Sequence, residues 1–379
     1  MKQTKNFRYT LIALAVFAAF LVVADSFFDA FTLRVLNLSA IYIILALSLN
    51  LLNGFTGLFS LGHSGFMAVG AYVCALLTMP AELKEMNFFL VPMVPFLKNL
   101  TLPFIPALIV GGLAAAFVGF LIGAPVLRLK DDYLAIATLG FSEIIRVLIT
   151  NAQTITNGAQ GLKGLPRFAT TYAVWITAAL VTFFMALLMR SSYGRAMKAV
   201  RDDELAAEAM GVDVFKVKVT SFTVSSFIAG IGGALLGHMI TTIDPKMFTF
   251  LLTFNILLIV VLGGTGSISG SVIAAVVVTI LMEVLRFLDE PMNLIFFKTQ
   301  GLPGLRMVVF SLMLMLVVIF RQRGLMGGRE FSWDMLKNLG GILGKRVSGG
   351  SGSKGGLGSK GSRRGPKGGR RGLKGGRDA

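Results

Sequence analysis

The sequence contains a single cysteine, two histidines and little charge, and each shortage excludes a class of protein. Cys74 has no second cysteine for a disulfide within the chain, and one Cys with two His cannot build a Cys/His metal site. Only 15% of the 379 residues are charged, whereas a soluble domain would carry about a quarter. We therefore expect no internal disulfide, no metal site and no ordinary soluble globular domain.

The charge is absent from long continuous stretches. Residues 35–81, 219–243 and 247–282 contain no Lys, Arg, Asp or Glu. A helix needs about 20 apolar residues to cross the hydrocarbon core of a bilayer. Only α-helices and closed β-barrels can span lipid, because they satisfy all their backbone hydrogen bonds internally. The runs do not alternate with a period of two, which excludes a membrane β-barrel. The sequence therefore predicts an all-α polytopic membrane protein.

We predict about ten membrane-spanning helices, at approximately 9–27, 35–53, 61–79, 103–127, 133–150, 171–189, 219–241, 247–263, 267–286 and 304–320. Lys2, Lys5 and Arg8 precede the first, and Ala24 could serve as a cleavage position, as in a signal peptide. The apolar run is longer than the hydrophobic region of a typical signal peptide, and a second span follows at once. We interpret it as an uncleaved anchor.

The distribution of Lys and Arg between the loops indicates the orientation. With the N-terminus in the cytoplasm, the cytoplasmic segments hold 26 Lys and Arg and the outer loops hold eight. The loop at 190–218 and the segment after residue 320 supply most of this difference. We therefore predict a multi-pass protein with both termini in the cytoplasm.

The end of the chain differs in composition from the rest. Residues 321–379 contain 15 Lys and Arg against 3 Asp and Glu, and Gly, Ser, Lys and Arg dominate after Leu339. Such a segment lacks the apolar surface needed to fold. We predict a transmembrane domain at 1–328 and a basic, disordered cytoplasmic tail at 329–379. The tail could bind anionic membrane lipid, at about 1 kcal/mol per basic residue, could touch RNA non-specifically, or could do neither; nucleic acid is not an expected partner.

Two glycine-rich segments share one pattern. Residues 54–60 and 263–269 both read G-x-T-G-x-x-S, and each falls between two predicted spans that run in the same directions. Duplicated halves with glycine-interrupted helices near the substrate path are common in transporters. The alternative is a coincidence in a chain with 44 glycines.

The loop at 190–218 is polar but has the features of a helix. Ser192 can cap a helix start, Gly211 can end one, and no helix breaker lies between Arg195 and Met210. Its many alanines allow close approach to another protein surface, and charged residues of both signs can pair with a partner: Arg195, Arg201, Asp202, Asp203 and Glu208. The sequence predicts a docking helix, and a solvated linker is the alternative.

The segment 191–211, SSYGRAMKAVRDDELAAEAMG, resembles the cytoplasmic coupling segment of branched-chain amino acid ABC permeases of the LivM type. The chain is similar to this family at further segments, in the family's order: 49–57, 60–66 with 70–72, 132–141 with 143–146, 261–267 and 323–325. The resemblance covers about residues 35–326, and the tail after Gly328 lies outside it.

The resemblance implies a permease subunit of an importer that moves Leu, Ile or Val across the bacterial inner membrane by alternating access, with no enzymatic chemistry of its own. It implies three kinds of protein partner: a second homologous permease, two ATP-binding-cassette ATPases and a periplasmic substrate-binding protein. Membrane lipid is a further expected partner, through the basic tail. The residues it places against the ATPase are Arg195, Arg201, Glu204, Ala206, Ala207, Glu208 and Gly211. A permease for another small solute, such as urea or a different amino acid, is the alternative.

ATP chemistry is expected to come from the partners. The phosphate-binding pattern G-x-x-x-x-G-K-[ST] is absent, since the single Gly-Lys pair at 344–345 lacks the flanking residues. We expect no cofactor in this chain, with ATP and Mg bound by the ATPase subunits. One departure concerns the importer signature E-A-A-x-x-x-G, because its acidic position is Leu205 here and Glu204 is displaced by one. This departure weakens the assignment of a particular acid to the ATPase contact.

Candidate substrate-path residues lie in the two glycine segments and in two motifs between them: Gly54, Thr56, Gly57, His63, Ser64, Glu143, Arg146, Gly263, Gly264 and Thr265. Glu143 and Arg146 are three residues apart and hence on one helical face. Charged residues within a membrane are costly and therefore often functional. One interpretation is that the two side chains bind the ammonium and the carboxylate of an amino acid. The alternative, which we favour, is a self-neutralising structural pair.

An enzymatic alternative rests on Ser64 and His238. Residues 62–65 read G-x-S-G, and rhomboid-type intramembrane proteases use a Ser in that motif with a His on a later helix. Activation of the serine requires the two side chains to lie within hydrogen-bond reach. The pattern H-x-x-G-x-x-x-G of these proteases is absent at His238, so we expect packing or path-lining roles for both histidines.

Overall fold

The computed structural model describes residues 21–89, 91–129, 131–288, 292–294, 297–299, 304–320, 324–326 and 330. The first predicted span, 9–27, lies largely outside this range, and its described part, residues 21–27, is helical and is called α1. Most of the predicted tail, 329–379, also lies outside the described residues.

The described chain is dominated by helices. These are α2 (Ala30–Asn50), continued by a π-helix (Leu51–Thr56), then α3 (His63–Thr78), α4 (Ala81–Asn87), α5 (Pro95–Lys98), α6 (Phe104–Val126), α7 (Asp131–Asn151), α8 (Gln153–Thr156), α9 (Thr171–Arg190), α10 (Ser192–Asp202), α11 (Glu204–Ala209), α12 (Val214–Ile240), α13 (Phe250–Gly263), α14 (Ile268–Val284) and α15 (Leu305–Phe320). Short 3₁₀ turns lie at Gly158–Gln160, Pro245–Met247 and Leu285–Leu288.

Four short strands form two antiparallel ribbons. β1 (Leu162–Lys163) pairs with β2 (Thr242–Ile243), and β3 (Met292–Leu294) pairs with β4 (Phe297–Thr299). These ribbons tie loops together and add no layer to the fold.

Six helical segments in the described part of the chain are long and apolar enough to cross a membrane: Ala30–Thr56, Phe104–Val126, Tyr133–Asn151, Thr171–Arg190, Val214–Ile240 and Pro245–Gly263. Two shorter apolar helices, His63–Thr78 and Ile268–Val284, fall below the length of a full span. The predicted all-α polytopic membrane architecture is therefore confirmed, and the chain is an integral membrane protein.

α12 lies at the centre of the helical body, where it packs against α2, α3 and α6. Glycines allow this close packing, because a Cβ on Gly70 of α3 would lie 2.3 Å from the backbone of Gly230 in α12. Small residues at such crossings are typical of membrane helices, since backbones that approach closely gain van der Waals contact. On the other side of α2, α14 and α9 complete the packing.

The loops gather at two ends of the helical body. At the first, which we call the basic end, Leu325 N donates to Leu262 O at 2.8 Å and Arg128 stacks on the Phe215 ring at 5.4 Å. At the opposite end, Leu102 N donates to Leu77 O at 2.7 Å and Leu165 N donates to Thr241 O at 3.0 Å. Every one of these contacts joins segments that the orientation model places on the same side of the membrane.

Candidate functional site

α2 does not end as a regular helix at the basic end. It widens into the π-helix Leu51–Thr56, where Thr56 Oγ1 donates to Leu51 O at 2.9 Å. The π-helix stops at Gly57, whose φ of 80° is a backbone conformation that residues with a Cβ rarely adopt. The glycine segment at residues 54–60 therefore ends one membrane helix and begins its connection to α3, and we call residues 54–60 the first break.

A second break, residues 263–269, separates α13 from α14. α13 ends at Gly263, and Gly264 and Gly266 have φ values of 105° and 79°. Ser267 then caps α14, since its Oγ accepts a hydrogen bond from Gly270 N at 3.0 Å. Thr265, at the tip of this turn, is exposed.

The two breaks are in direct contact. Asn50 Nδ2 donates to Ser267 O at 3.0 Å and to Ser271 Oγ at 2.8 Å, and Asn50 Oδ1 accepts from Gly266 N at 2.8 Å. A Cβ on Gly54 would lie 2.3 Å from Gly266 N, so the two breaks can approach this closely only with glycine at position 54. The structure brings together the two segments that share G-x-T-G-x-x-S, while their origin by duplication stays a prediction.

Arg201 of α10 joins both breaks to the loop at 190–218. Its Nη1 donates to Gly54 O at 3.0 Å, and a Cβ on Gly266 would lie 3.0 Å from the same nitrogen. Gly57 lies beneath the stem of Arg201, because its Cβ would be 3.0 Å from Arg201 Cγ. Asp202 Oδ1 accepts from Arg201 Nη2 at 2.7 Å and holds the guanidinium in place. We call Arg201, Gly54, Gly57 and Gly266 the arginine clamp.

The loop at 190–218 contains two helices where the sequence predicted one. α10 ends at Asp202, and Asp203, with φ of −162°, starts α11 by accepting from Ala206 N at 3.0 Å. The predicted uninterrupted helix was wrong at this point, because an aspartate side chain satisfies a free N–H at a helix start. The start was also displaced by one residue, since Ser191 and not Ser192 caps α10.

The predicted coupling residues lie on different faces of these helices. Arg195, Ala206, Glu208 and Gly211 are exposed, and the Arg195 guanidinium donates to Arg190 O at 3.1 Å. Ala207 is buried, Glu204 forms an ion pair with Lys218, and Arg201 reaches into the clamp. The sequence did not reveal that Arg201 faces the membrane domain.

Two exposed apolar side chains in this loop were missed. Leu205 is 79% exposed and Met210 is 84% exposed. Exposed large apolar residues on a short extramembrane helix are typical of a protein contact. The signal was present in the sequence, where Leu205 replaces the acid of the importer signature.

Residues 57–62, which lead from the basic end to the start of α3 inside the helical body, have no regular secondary structure. α3 starts at His63, whose Nε2 is hydrogen-bonded to Ser48 Oγ at 2.9 Å, and Ser64 N donates to Thr253 Oγ1 at 2.9 Å. Thr253 lies ten residues before Gly263, about 15 Å along a helix, which is half the ~30 Å hydrocarbon core. Irregular backbone at this depth occurs where it is enclosed by protein or lines a path.

A further family-like motif packs against this irregular segment. Thr138 Oγ1 accepts from Leu61 N at 3.1 Å, and a Cβ on Gly62 would lie 2.6 Å from Thr138 O. A Cβ on Gly65 would lie 2.9 Å from the Cα of Ser142. The segments 60–66 and 132–141, which are separated in sequence, therefore form one contact.

The serine and histidine of the protease alternative are far apart. Ser64 begins α3, whereas His238 Nε2 is hydrogen-bonded at 2.8 Å to Thr78 Oγ1, at the last residue of α3. Fourteen residues of α-helix span about 21 Å. This alternative is wrong, because His238 cannot take a proton from the Ser64 hydroxyl over that distance.

Glu143 and Arg146 satisfy each other. Arg146 Nη2 lies 2.6 Å from Glu143 Oε2, and Arg146 Nε donates to the same oxygen at 2.7 Å. Both side chains are about one-third exposed, at 34% and 33%. The arrangement is that of the self-neutralising pair which the sequence favoured over a substrate contact.

The glycine-rich connections from α2 to α3 and from α13 to α14 contact each other, and Arg201 of α10 contacts both. Glycine breaks of this kind at membrane helices are typical of transport proteins. Residues 31–318 match the family model described as branched-chain amino acid transport system, permease component. The chain belongs to this family. It is a permease subunit and not an enzyme, and no solved structure matches it.

Relatives with named functions support the assignment. The chain is 33% identical over 358 residues to the high-affinity branched-chain amino acid transport system permease protein LivM of Escherichia coli K12, with 86% of this chain and 75% of the relative covered. A probable LivM of Methanocaldococcus jannaschii is 26% identical, with 75% and 90% covered. The L-arabinose transport system permease protein AraH of E. coli K12 is 32% identical, over only 52% of this chain and 60% of AraH.

Proposed function

We propose that this chain is one permease subunit of an ATP-binding-cassette importer that carries Leu, Ile and Val across a bacterial inner membrane. The arginine clamp carries the proposal, because it connects α10, the proposed docking helix, with the two breaks at the ends of membrane helices. The family and the LivM relatives supply the class of substrate.

The membrane topology of the proposal has ten crossings, with both termini and the basic end in the cytoplasm. The long apolar helices from α2 to α15 alternate between the basic and the opposite end, and Lys and Arg concentrate in segments at the basic end. Two of the shorter helices, α3 and α14, each start from a glycine break, and the irregular segment before α3 supplies part of that crossing.

Energy enters the chain from partners in this proposal. Two ATPase subunits bind ATP and Mg and dock on α10 and α11, where Leu205, Met210 and Ala206 are exposed and Arg195 and Glu208 offer charges of both signs. A second homologous permease completes the membrane domain, and a periplasmic binding protein delivers the substrate to the opposite end. Anionic lipid is the proposed contact of the tail.

The substrate path of the proposal runs past the two breaks and the start of α3. Ser64 Oγ and His63 Nδ1 are buried there and have no hydrogen-bond partner among the described residues. A buried polar atom without a partner costs about 1–3 kcal/mol, so these atoms are suited to meet a polar solute or water during transport. Gly57 and Gly264, which have positive φ, give the backbone beside them more conformational freedom than other residues would.

Reconstitution tests the function. The chain is purified with its partner permease, its ATPases and its binding protein, and the import of labelled leucine, isoleucine, valine, urea and arabinose into vesicles is measured. We expect ATP-dependent uptake of the three branched-chain amino acids and not of urea or arabinose. Uptake of another solute in their place would refute the substrate, and leucine uptake by the chain alone would refute the dependence on partners.

Substitution of Arg201 tests the coupling route. Arg201→Gln removes a hydrogen bond to a charged donor, worth about 1.5–3 kcal/mol, and we expect about a tenfold fall in leucine imported per ATP hydrolysed, with ATPase binding retained. Lys216→Gln is the matched control, because Lys216 is an exposed cation at the same end that pairs with Asp213. Equal ratios in wild type and Arg201→Gln would contradict the route.

A further inference from the structure

A cleft of about 790 Å³ opens at the end opposite the arginine clamp. Its walls come from the end of α1, the first two turns of α2, residues 167–172 at the start of α9, and the last residues of α12. We call it the α2–α9 cleft. Its size lies within the range of small-molecule sites, about 300–1,000 Å³.

Asn37 at the base of this cleft has an unused polar atom. The side chain is 8% exposed, and Nδ2 donates to Thr171 Oγ1 at 3.1 Å. Oδ1 has no hydrogen-bond partner among the described residues. If the amide were turned over, Nδ2 would take the place of Oδ1, so one polar amide atom is unused in either orientation. A buried polar atom without a hydrogen-bond partner is costly, which indicates that a polar group of a ligand binds to it.

The charges around Asn37 are arranged for a ligand that carries both signs. Arg34 and Arg167 line the cleft, and the N-terminus of α2, which has no side-chain cap, opens into it. The N-terminus of α9 also lines the cleft, and there Thr170 Oγ1 accepts a hydrogen bond from Ala173 N. Asp25 also lines the cleft, together with the C-terminal residues of α12, whose carbonyl groups favour a cation. An anionic group suits the arginines, and an ammonium group suits Asp25 and Asn37 Oδ1.

Part of the remaining lining is apolar, beside the hydroxyl-bearing Thr170, Thr171 and Tyr172. Phe31, Leu33, Met239 and Ile240 face the same space. A branched aliphatic side chain could lie against them while the polar end of the molecule meets Asn37. This combination of one apolar wall with a few convergent polar groups is that of a small-ligand site.

We infer that the α2–α9 cleft binds a free zwitterionic α-amino acid with an aliphatic side chain, its carboxylate at Arg34 and Arg167 and its ammonium at Asn37 and Asp25. The inference rests on the proposed function. The cleft is the point at which substrate released at the opposite end first meets the permease. A zwitterionic phospholipid headgroup shares this chemistry, and the experiment separates the two.

Protection of an introduced cysteine tests the site. Ala30 is exposed and lines the cleft, and the chain's own Cys74 is buried, so Ala30→Cys gives one reactive thiol. The assembled transporter is placed in nanodiscs of phosphatidylglycerol and treated with a methanethiosulfonate reagent, without the binding protein. We expect millimolar leucine to slow labelling several-fold, and isoamylamine, which lacks the carboxylate, to have no effect.

Two controls fix the location of the site. Met86→Cys, exposed at the same end but outside the cleft, should be labelled at the same rate with and without leucine. Combining Ala30→Cys with Arg34→Gln and Arg167→Gln should abolish the protection, and adding Asn37→Leu instead should weaken it. Protection that survives the loss of both arginines would overturn the inference.

The remaining outcomes are also decisive. If phosphatidylethanolamine in the nanodisc protects the thiol of the Ala30→Cys variant and leucine does not, the cleft is a lipid site and the inference is wrong. If leucine protects neither introduced thiol while wild-type transporter imports leucine, the inference fails and the proposed function stands. If wild type imports no branched-chain amino acid, the proposed function fails, whatever the labelling shows.

Discussion

The amide side chain of Asn50 is hydrogen-bonded to the backbone of Gly266, 216 residues further along the chain, with Oδ1 accepting from Gly266 N at 2.8 Å. The same side chain donates to Ser267 O and Ser271 Oγ. Asn50 is fully buried at the last residue of α2. One polar residue inside the membrane domain thus holds the end of α2 against the second break.

Replacing Asn50 should destabilise the permease more than replacing an exposed asparagine. Asn50→Leu keeps the size of the side chain but removes its three hydrogen bonds to the second break and leaves the buried Gly266 N–H without its partner, at about 1–3 kcal/mol. We expect a clear fall in the thermal unfolding temperature of the purified protein in detergent. Asn151→Leu is the control, because Asn151 is exposed and donates only to Val147 O in its own helix. Equal unfolding temperatures for Asn50→Leu and wild type would contradict the role of Asn50.

A methyl group at Gly54 should separate the two breaks. Its Cβ would lie 1.9 Å from Asn50 Oδ1 and 2.3 Å from Gly266 N, so Gly54→Ala forces backbone to move, at about 1–3 kcal/mol. We expect reduced stability and reduced leucine uptake. Gly140→Ala is the matched control: nothing lies within 4 Å of its Cβ, and alanine is the better helix former by about 1 kcal/mol. Equal stability and equal leucine uptake for Gly54→Ala and Gly140→Ala would show that the contact between the breaks is unimportant.

Leu205 should be needed for ATPase binding and not for folding. A leucine that becomes buried at an interface contributes about 1.5–3 kcal/mol, so Leu205→Asp should lower the amount of ATPase that co-purifies with the permease by about tenfold or more. The unfolding temperature of the isolated permease should not change. Phe89→Asp, at a side chain 70% exposed at the opposite end, should leave ATPase binding intact. Normal co-purification of Leu205→Asp would remove α11 from the docking surface.

Asp213 should give the start of α12 a dependence on acid pH. Hydrogen bonds from the Lys216 backbone N–H and then from its ammonium group lower the pKa of Asp213 below its ordinary value of 3.8. Its stabilising effect is therefore fully present above pH 3.8 and is lost as the pH falls through the lowered pKa. Asn caps helices without titrating, so the stability difference between wild type and Asp213→Asn should shrink on acidification. A constant difference would contradict this assignment.

The sequence predicted the all-α polytopic membrane architecture because the signal of an apolar helix is local. A run without charge, such as residues 35–81 or 247–282, has few alternatives to burial in lipid, and glycine clusters locate its interruptions. The glycine breaks at 54–60 and 263–269 were placed correctly for this reason.

Contacts between distant segments could not be predicted in the same way. Nothing near Asn50 indicates Gly266, and nothing near Arg201 indicates Gly54, because each pair forms only after the helices have packed. The charge of Arg201 suggested an outward role, whereas its guanidinium donates to Gly54 O and lies against Gly266, and its stem covers Gly57. The helix end at Asp203 is a local feature that the sequence analysis overlooked, since Asp is a preferred N-cap residue.

Glu330 lies two residues beyond the predicted end of the transmembrane domain, yet its carboxylate accepts hydrogen bonds from Ile268 N at 2.8 Å and from Ser269 N and Oγ at 3.1 and 2.9 Å. An expression design that trims the chain at residue 328 would therefore leave the first turn of α14 without its acidic cap. Fluorescent or affinity fusions are better joined well downstream, beyond residue 340, where sequence composition alone predicts that the chain can be shortened without loss of transport.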